Sequence, residues 1–206
     1  MNDLEEKTQQ PLPSILPFLL LLAVVGLFLV LTIPILTNIL PHPDEYQFFL
    51  NAWSIMGGKQ LQNFLHVALT EYVLTGYLLF MNVFTKTGVN FPQAAPSPVT
   101  YYYGRIFGLI LLLLNFMVAA LILQKGERQV RLRTIVFALL YFGSLGVFER
   151  YMRVNSDSMS VFVTLNYMLI SFVFHKRQLS PLRFLFLDSI FVFLASFTNL
   201  KALYMV

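Results

Sequence analysis

From Ile15 to Leu40 the chain is almost uninterruptedly apolar, and this run limits what the protein can be more than any other feature. About 20 apolar residues in a helix span the hydrocarbon core of a bilayer. The run therefore predicts a transmembrane helix with length to spare, with Pro17 in its first turn and a kink near Pro34. Its leader, Met1-Asn2-Asp3-Leu4-Glu5-Glu6-Lys7, is acidic, and no small-x-small site follows the run. Both features argue for a retained anchor over a cleaved signal peptide. Further apolar segments follow at roughly 64–84, 106–124, 134–148, 159–174 and 182–198.

Composition supports the same class. The 206 residues are 57% hydrophobic and only 12% charged, with a mean hydropathy of +0.70, whereas soluble domains carry about 25% charged residues. The predicted fold is an all-α, polytopic integral membrane protein. It has about five transmembrane helices, an external interfacial helix, and a re-entrant or tilted segment over 64–84. Residues 1–14 read as a flexible cytoplasmic tail and 15–206 as a single transmembrane domain.

The net charge of +4 arises from 14 Lys+Arg against 10 Asp+Glu. Lys125, Arg128, Arg131, Arg133, Lys176, Arg177 and Arg183 lie in two linkers between apolar segments, where positive-inside topology explains them. No basic run interleaved with aromatics lies on a soluble face, so nucleic acid is not an expected partner. There is no cysteine, which excludes disulfides and thiolate metal sites. With the basic linkers cytoplasmic, Arg105, Arg150, Arg153, Asp157, Lys201 and Asp44 fall on the external side. Residues 64–84 then have both flanks outside and do not cross fully; if they do cross, both basic linkers become external. The embedded His66 and Glu71 fit a segment buried in protein.

The first apolar run ends in Pro41-His42-Pro43-Asp44-Glu45-Tyr46, two adjacent carboxylates beside two prolines at a membrane surface. Asp44 with Gln47 fits a helix cap and its reciprocal partner. Tyr46, Phe49, Leu50 and Trp53 follow at helical spacing, opposed by Gln47, Asn51 and Ser54. That pattern predicts an amphipathic helix lying in the interface and stopped at Gly57-Gly58. Read by itself, the acidic pair serves either as a cap and first-turn charge or as a general base beside a membrane. Arg153 and Asp157, four apart, read as an ion pair or as ligand contacts, and Arg105 as a snorkelling or a ligand-binding arginine. Glu71 with His66 reads as a satisfied structural pair or as a metal or proton site, and Asp188, five residues past Arg183, as a structural contact.

The order of these features resembles the amino-terminal half of the GT-C superfamily of polyprenyl-phosphate-sugar-dependent glycosyltransferases, which includes protein O-mannosyltransferases, aminoarabinose transferases and GPI mannosyltransferases. The resemblance is carried by His42-Pro43-Asp44-Glu45 after the first span, by the aromatic helix from Tyr46 to Gly57-Gly58-Lys59, and by Tyr103-Gly104-Arg105. Arg153-Val154-Asn155-Ser156-Asp157 and Asn199-Leu200-Lys201 complete it. The chain departs from that pattern at Asn63-Phe64-Leu65-His66, where the family usually shows a Lys-Pro-Pro-like element. The family's chains are also usually more than twice as long, which implies a fragment, a diverged short form or one half of an assembly.

The resemblance implies sugar transfer from a polyprenyl-phosphate donor at the external or luminal face of a bacterial inner membrane or the endoplasmic reticulum. Asp44 and Glu45 would be the catalytic carboxylates, and Arg105, Arg153 and Lys201 the donor-phosphate contacts. Asp157 would orient substrate or share a divalent cation, Mg or Mn, with Asp44. Expected partners are the polyprenyl-phosphate sugar, membrane lipid and a subunit completing the fold. The alternative is a non-catalytic membrane subunit that uses the same fold as a platform for a partner or lipid.

Overall fold

The computed structural model describes residues 15–40, 42–57, 69–85, 98–124, 130–154, 156–177 and 180–198. Among these residues every regular element is helical, with no strand. Helix α1 (Ile15–Thr32) is apolar on all sides and passes directly into a 3-10 turn, Ile33–Thr37. The transition falls at Pro34, which lacks the N–H needed to continue the α-helical ladder, so the chain tightens into the shorter repeat. The 3-10 turn closes through the Asn38 N–H on the Ile35 carbonyl at 2.9 Å.

Helix α1 packs against α5 (Leu132–Gly143), where the Phe28 and Phe142 rings lie 4.6 Å apart. Ile15, Leu27 and Val30 stand 67%, 62% and 70% exposed. A continuous apolar surface of this kind is costly in water and neutral in lipid. The helical stretch Ile15–Thr37 and helix α4 (Pro98–Gln124) are both long and apolar enough to cross a membrane.

Helix α4 is the centre of the molecule. It packs against the 3-10 turn, α3 (Leu69–Thr85), α5, α6 (Leu145–Tyr151) and α7 (Ser156–Arg177), and buries Phe107, Leu112 and Phe116 among them. Helix α8 (Pro181–Thr198) pairs with α7 and touches α3, around a second small cluster of Val163, Phe191 and Ala195.

Two segments differ from the hydropathy pattern. The apolar stretch 134–148 predicts one span, yet it forms two helices. Ser144 takes an extended conformation (ψ 117°) and its hydroxyl accepts the Val147 N–H, capping α6. Helix α5 has 12 residues, about 18 Å of helix against a core of about 30 Å, so it is too short to cross alone. The stretch 64–84 predicts an irregular embedded segment, whereas residues 69–85 form a regular α-helix. His66 lies outside the described residues.

Helix α2 (Pro43–Met56) also departs from its predicted face. Its buried side chains are Glu45, Phe48, Phe49, Asn51, Ala52 and Trp53, while Tyr46 is exposed and Leu50 half-buried. The pattern predicts a stripe of Tyr46, Phe49, Leu50 and Trp53 with Asn51 in water. The helix is instead covered on two sides, running along α3 and meeting the first turns of α4, and a polar partner on α3 draws Asn51 inward.

Candidate functional site

The chain enters α2 through His42, whose carbonyl accepts the Tyr46 N–H at 3.2 Å. His42 is therefore the N-cap, and Pro43 occupies the first helical position, where its missing N–H costs nothing. Glu45, two positions on, accepts the His42 N–H on Oε2 at 3.1 Å. This is the return half of a capping box, made by the third helical residue. The predicted cap at Asp44 with Gln47 is thus displaced by two residues. Asp44 is the second residue of the helix, in the turn where a carboxylate is favoured by the helix dipole.

Glu45 is itself fully buried, and its partner is Arg105, 60 residues along the chain in the second turn of α4. Arg105 grips the carboxylate with two parallel bonds, Nε to Oε1 at 3.2 Å and Nη2 to Oε2 at 3.0 Å. Its Nη1 donates to the Leu36 and Ile39 carbonyls, both at 2.8 Å. These belong to the end of the 3-10 turn and its exit, where carbonyls lack partners within the helix. The guanidinium also lies 5.5 Å from the Tyr101 ring centroid. Glu45 Oε1 further accepts the Val154 N–H at 3.4 Å, from the bend between α6 and α7.

One buried ion pair therefore fastens four chain segments: the exit of the first long helix, the start of α2, the start of α4 and the 152–154 bend. A pair of charges removed from water survives only when further hydrogen bonds satisfy its remaining lone pairs and protons. Here Glu45 accepts four bonds, matching its four lone-pair sites, and Arg105 gives four of its five N–H donors. In this arrangement the lone-pair sites of Glu45 are filled, and one N–H of Arg105 is left over. The resemblance implies a catalytic carboxylate at Glu45 and a phosphate contact at Arg105; in the structure the two side chains bind each other.

Two glycines let the bend approach. A Cβ on Gly104 would overlap the Phe49 ring and press on Val154, and a Cβ on Gly108 would overlap the Tyr151 carbonyl oxygen. The backbone at Tyr151 can lie against α4 because Gly108 lacks a side chain, and Gly104 makes room for the Phe49 ring. Gly108→Ala should therefore cost about 1–3 kcal/mol, since a backbone carbonyl has no rotamer by which to withdraw. A drop in the apparent unfolding midpoint in detergent checks this; an unchanged midpoint contradicts the packing.

Of the other predicted site residues, Arg153 sits in the bend and Asp157 in the first turn of α7, both half-buried. Arg153 precedes the helix, so their spacing of four is not one helical turn. The Val154 bond to Glu45 brings this bend beside the start of α2. Lys201, with Asn199, lies outside the described residues. Among the described residues no group of three or more His, Asp or Glu side chains gathers as a metal site.

A second polar group is only half visible in the sequence. Glu71 is 1% exposed, and its Oε1 accepts the Asn51 amide at 3.2 Å. Asn51 Oδ1 accepts the Gln47 amide at 3.0 Å. The signal for Glu71 is a carboxylate in an apolar run; nothing local points to Asn51. Elsewhere Asp188 accepts the Tyr167 hydroxyl at 2.7 Å across the α7–α8 pair, where sequence proximity suggests Arg183. No known protein family, no curated protein and no solved structure matches the chain.

Proposed function

We propose that the chain is a polytopic membrane module that transfers a sugar from a polyprenyl-phosphate donor to a hydroxyl acceptor at the external or luminal membrane face. Helices α1, α4, α7 and α8, with the broken α5–α6 pair, are its five crossings; α2 and α3 lie toward the external side. Asp44 is the base. It takes the proton from the acceptor hydroxyl as that oxygen attacks the anomeric carbon. The bond from that carbon to the phosphate oxygen breaks, and polyprenyl phosphate leaves with the electron pair. A phosphate is already a good leaving group, so no general acid is needed. Arg153 and Lys201 stabilise the departing charge, and Asp157 orients substrate. Glu45 and Arg105 are positioning residues.

The observation that best supports this is the bidentate Glu45–Arg105 pair. It holds the turn that carries Asp44 against the bend that carries Arg153 and leads into α7, and such a frame suits a base and a cation that act together. A transferase needs that preorganisation; a simple cap does not. The second reading, a non-catalytic binding subunit, draws on one specific observation: Arg105, an expected phosphate contact, gives most of its donors internally.

The experiment is transfer by the purified chain in vesicles, using a panel of short-chain polyprenyl-phosphate hexoses and pentoses with simple hydroxyl acceptors. Formation of glycoside with release of polyprenyl phosphate is expected; its absence across the panel favours the binding subunit. The topology has its own test. The chain lacks cysteine, so Gln129→Cys, in the linker outside the described residues, should be labelled only after the membrane is opened. Labelling from outside intact cells would reverse the orientation.

A further inference from the structure

The file Gln47–Asn51–Glu71 has a direction. Asn51 turns its NH₂ toward Glu71 Oε1, at 3.2 Å, the orientation that an ionised carboxylate, which only accepts, requires. That leaves the Asn51 carbonyl toward Gln47, which must in turn present its own NH₂, at 3.0 Å. The outermost group of the file is then the Gln47 carbonyl oxygen, turned away from Asn51. Asn51 and Glu71 are 2% and 1% exposed, while Gln47 is half-buried, so the file runs from the interior to the surface. Gln47 stands three residues, about one helical turn, beyond Asp44 on α2. Beside the inner end, the Thr75 hydroxyl donates to the Glu71 backbone carbonyl within α3 at 2.6 Å and lies 3.4 Å from the Ala52 backbone carbonyl on α2.

We propose that Gln47 is a specificity residue whose outward carbonyl accepts a hydroxyl of the sugar on a lipid-linked hexose, and that buried Glu71 sets this polarity through Asn51. The substrate class rests on the transferase reading above; the polarity of the file does not. A site with a committed acceptor distinguishes sugar-bearing from sugar-free lipid, because binding the latter leaves the acceptor without its hydroxyl partner.

The test uses the full chain in nanodiscs. Gln47→Glu places acceptors on both sides of Asn51, whose single amide cannot donate to both. The unfolding midpoint should fall by several degrees. Adding Glu71→Gln should restore most of that loss, because the file is again fully paired with its direction reversed. The new amide at position 71 donates to the Asn51 carbonyl, and the Asn51 amide donates to the new carboxylate at position 47. If the two losses simply add, the directional file is wrong. Binding is read separately, from the rise in midpoint with added ligand. Gln47→Met should weaken a short-chain polyprenyl-phosphate hexose about three- to tenfold, the worth of one hydrogen bond. It should leave sugar-free polyprenyl phosphate unchanged. Equal weakening of both lipids, or no preference between them in the parent protein, overturns the sugar contact. Discriminating binding without any transfer leaves this contact standing and removes the transferase reading instead.

Discussion

Arg105→Met, with Glu45 left in place, should cost about 3–5 kcal/mol, because it strands a fully buried carboxylate without its counter-charge. That is a large part of the roughly 5–15 kcal/mol that holds a typical domain folded. The expected result is a sharp fall in yield of folded protein and in the apparent unfolding midpoint. The double variant Glu45→Leu/Arg105→Met carries the finer information. Replacing an isolated buried ion pair with apolar groups is often neutral or stabilising. Here the pair also satisfies the Leu36 and Ile39 carbonyls and the His42 and Val154 N–H groups. Each, if left buried and unpaired, costs about 1–3 kcal/mol. The double variant should therefore stay as poor as the single one. Recovery of the parent midpoint would mean that the pair is an isolated bridge and that the four segments are held by other contacts.

Much of the helical architecture is legible in the sequence because apolar length and proline position are local signals. The 3-10 turn at Pro34 and the end of α2 before Gly57 are of this kind. The cap of α2 is legible too, although the capping pattern points first to the wrong residue. A proline favours the first helical position, so Pro43 makes His42 the cap and Glu45 the third residue that closes the box. Reading Asp44 as the cap hides the bond by which Glu45 closes the box. The break at Ser144 has its cue in Gly143-Ser144, inside a stretch whose hydropathy alone looks continuous. The Glu45–Arg105 pair is not legible, since it joins residues 60 apart and depends on how α4 crosses the entry to α2. The inward turn of Asn51 is hidden for the same reason, because its partner Glu71 lies 20 residues away on another helix.

Asp44→Asn is the substitution that separates chemistry from structure at this site. Asparagine keeps the size of the side chain, and the Glu45–Arg105 fastening is untouched. Loss of a negative charge from the first turn of a helix costs about 0.3–1 kcal/mol. Loss of a general base costs on the order of 10²–10⁴ in rate. Folding and rate should therefore respond very differently, unlike the response to Arg105→Met, where both fall together. The deciding measurement is the initial rate of sugar transfer from a short-chain polyprenyl-phosphate donor by the parent and by Asp44→Asn, at matched amounts of folded protein. A base at Asp44 predicts parent activity and a variant at least about a hundredfold slower, with an unfolding midpoint close to the parent's. Transfer retained at most of the parent rate would contradict it, and would leave Asp44 only its electrostatic place in the first turn of α2.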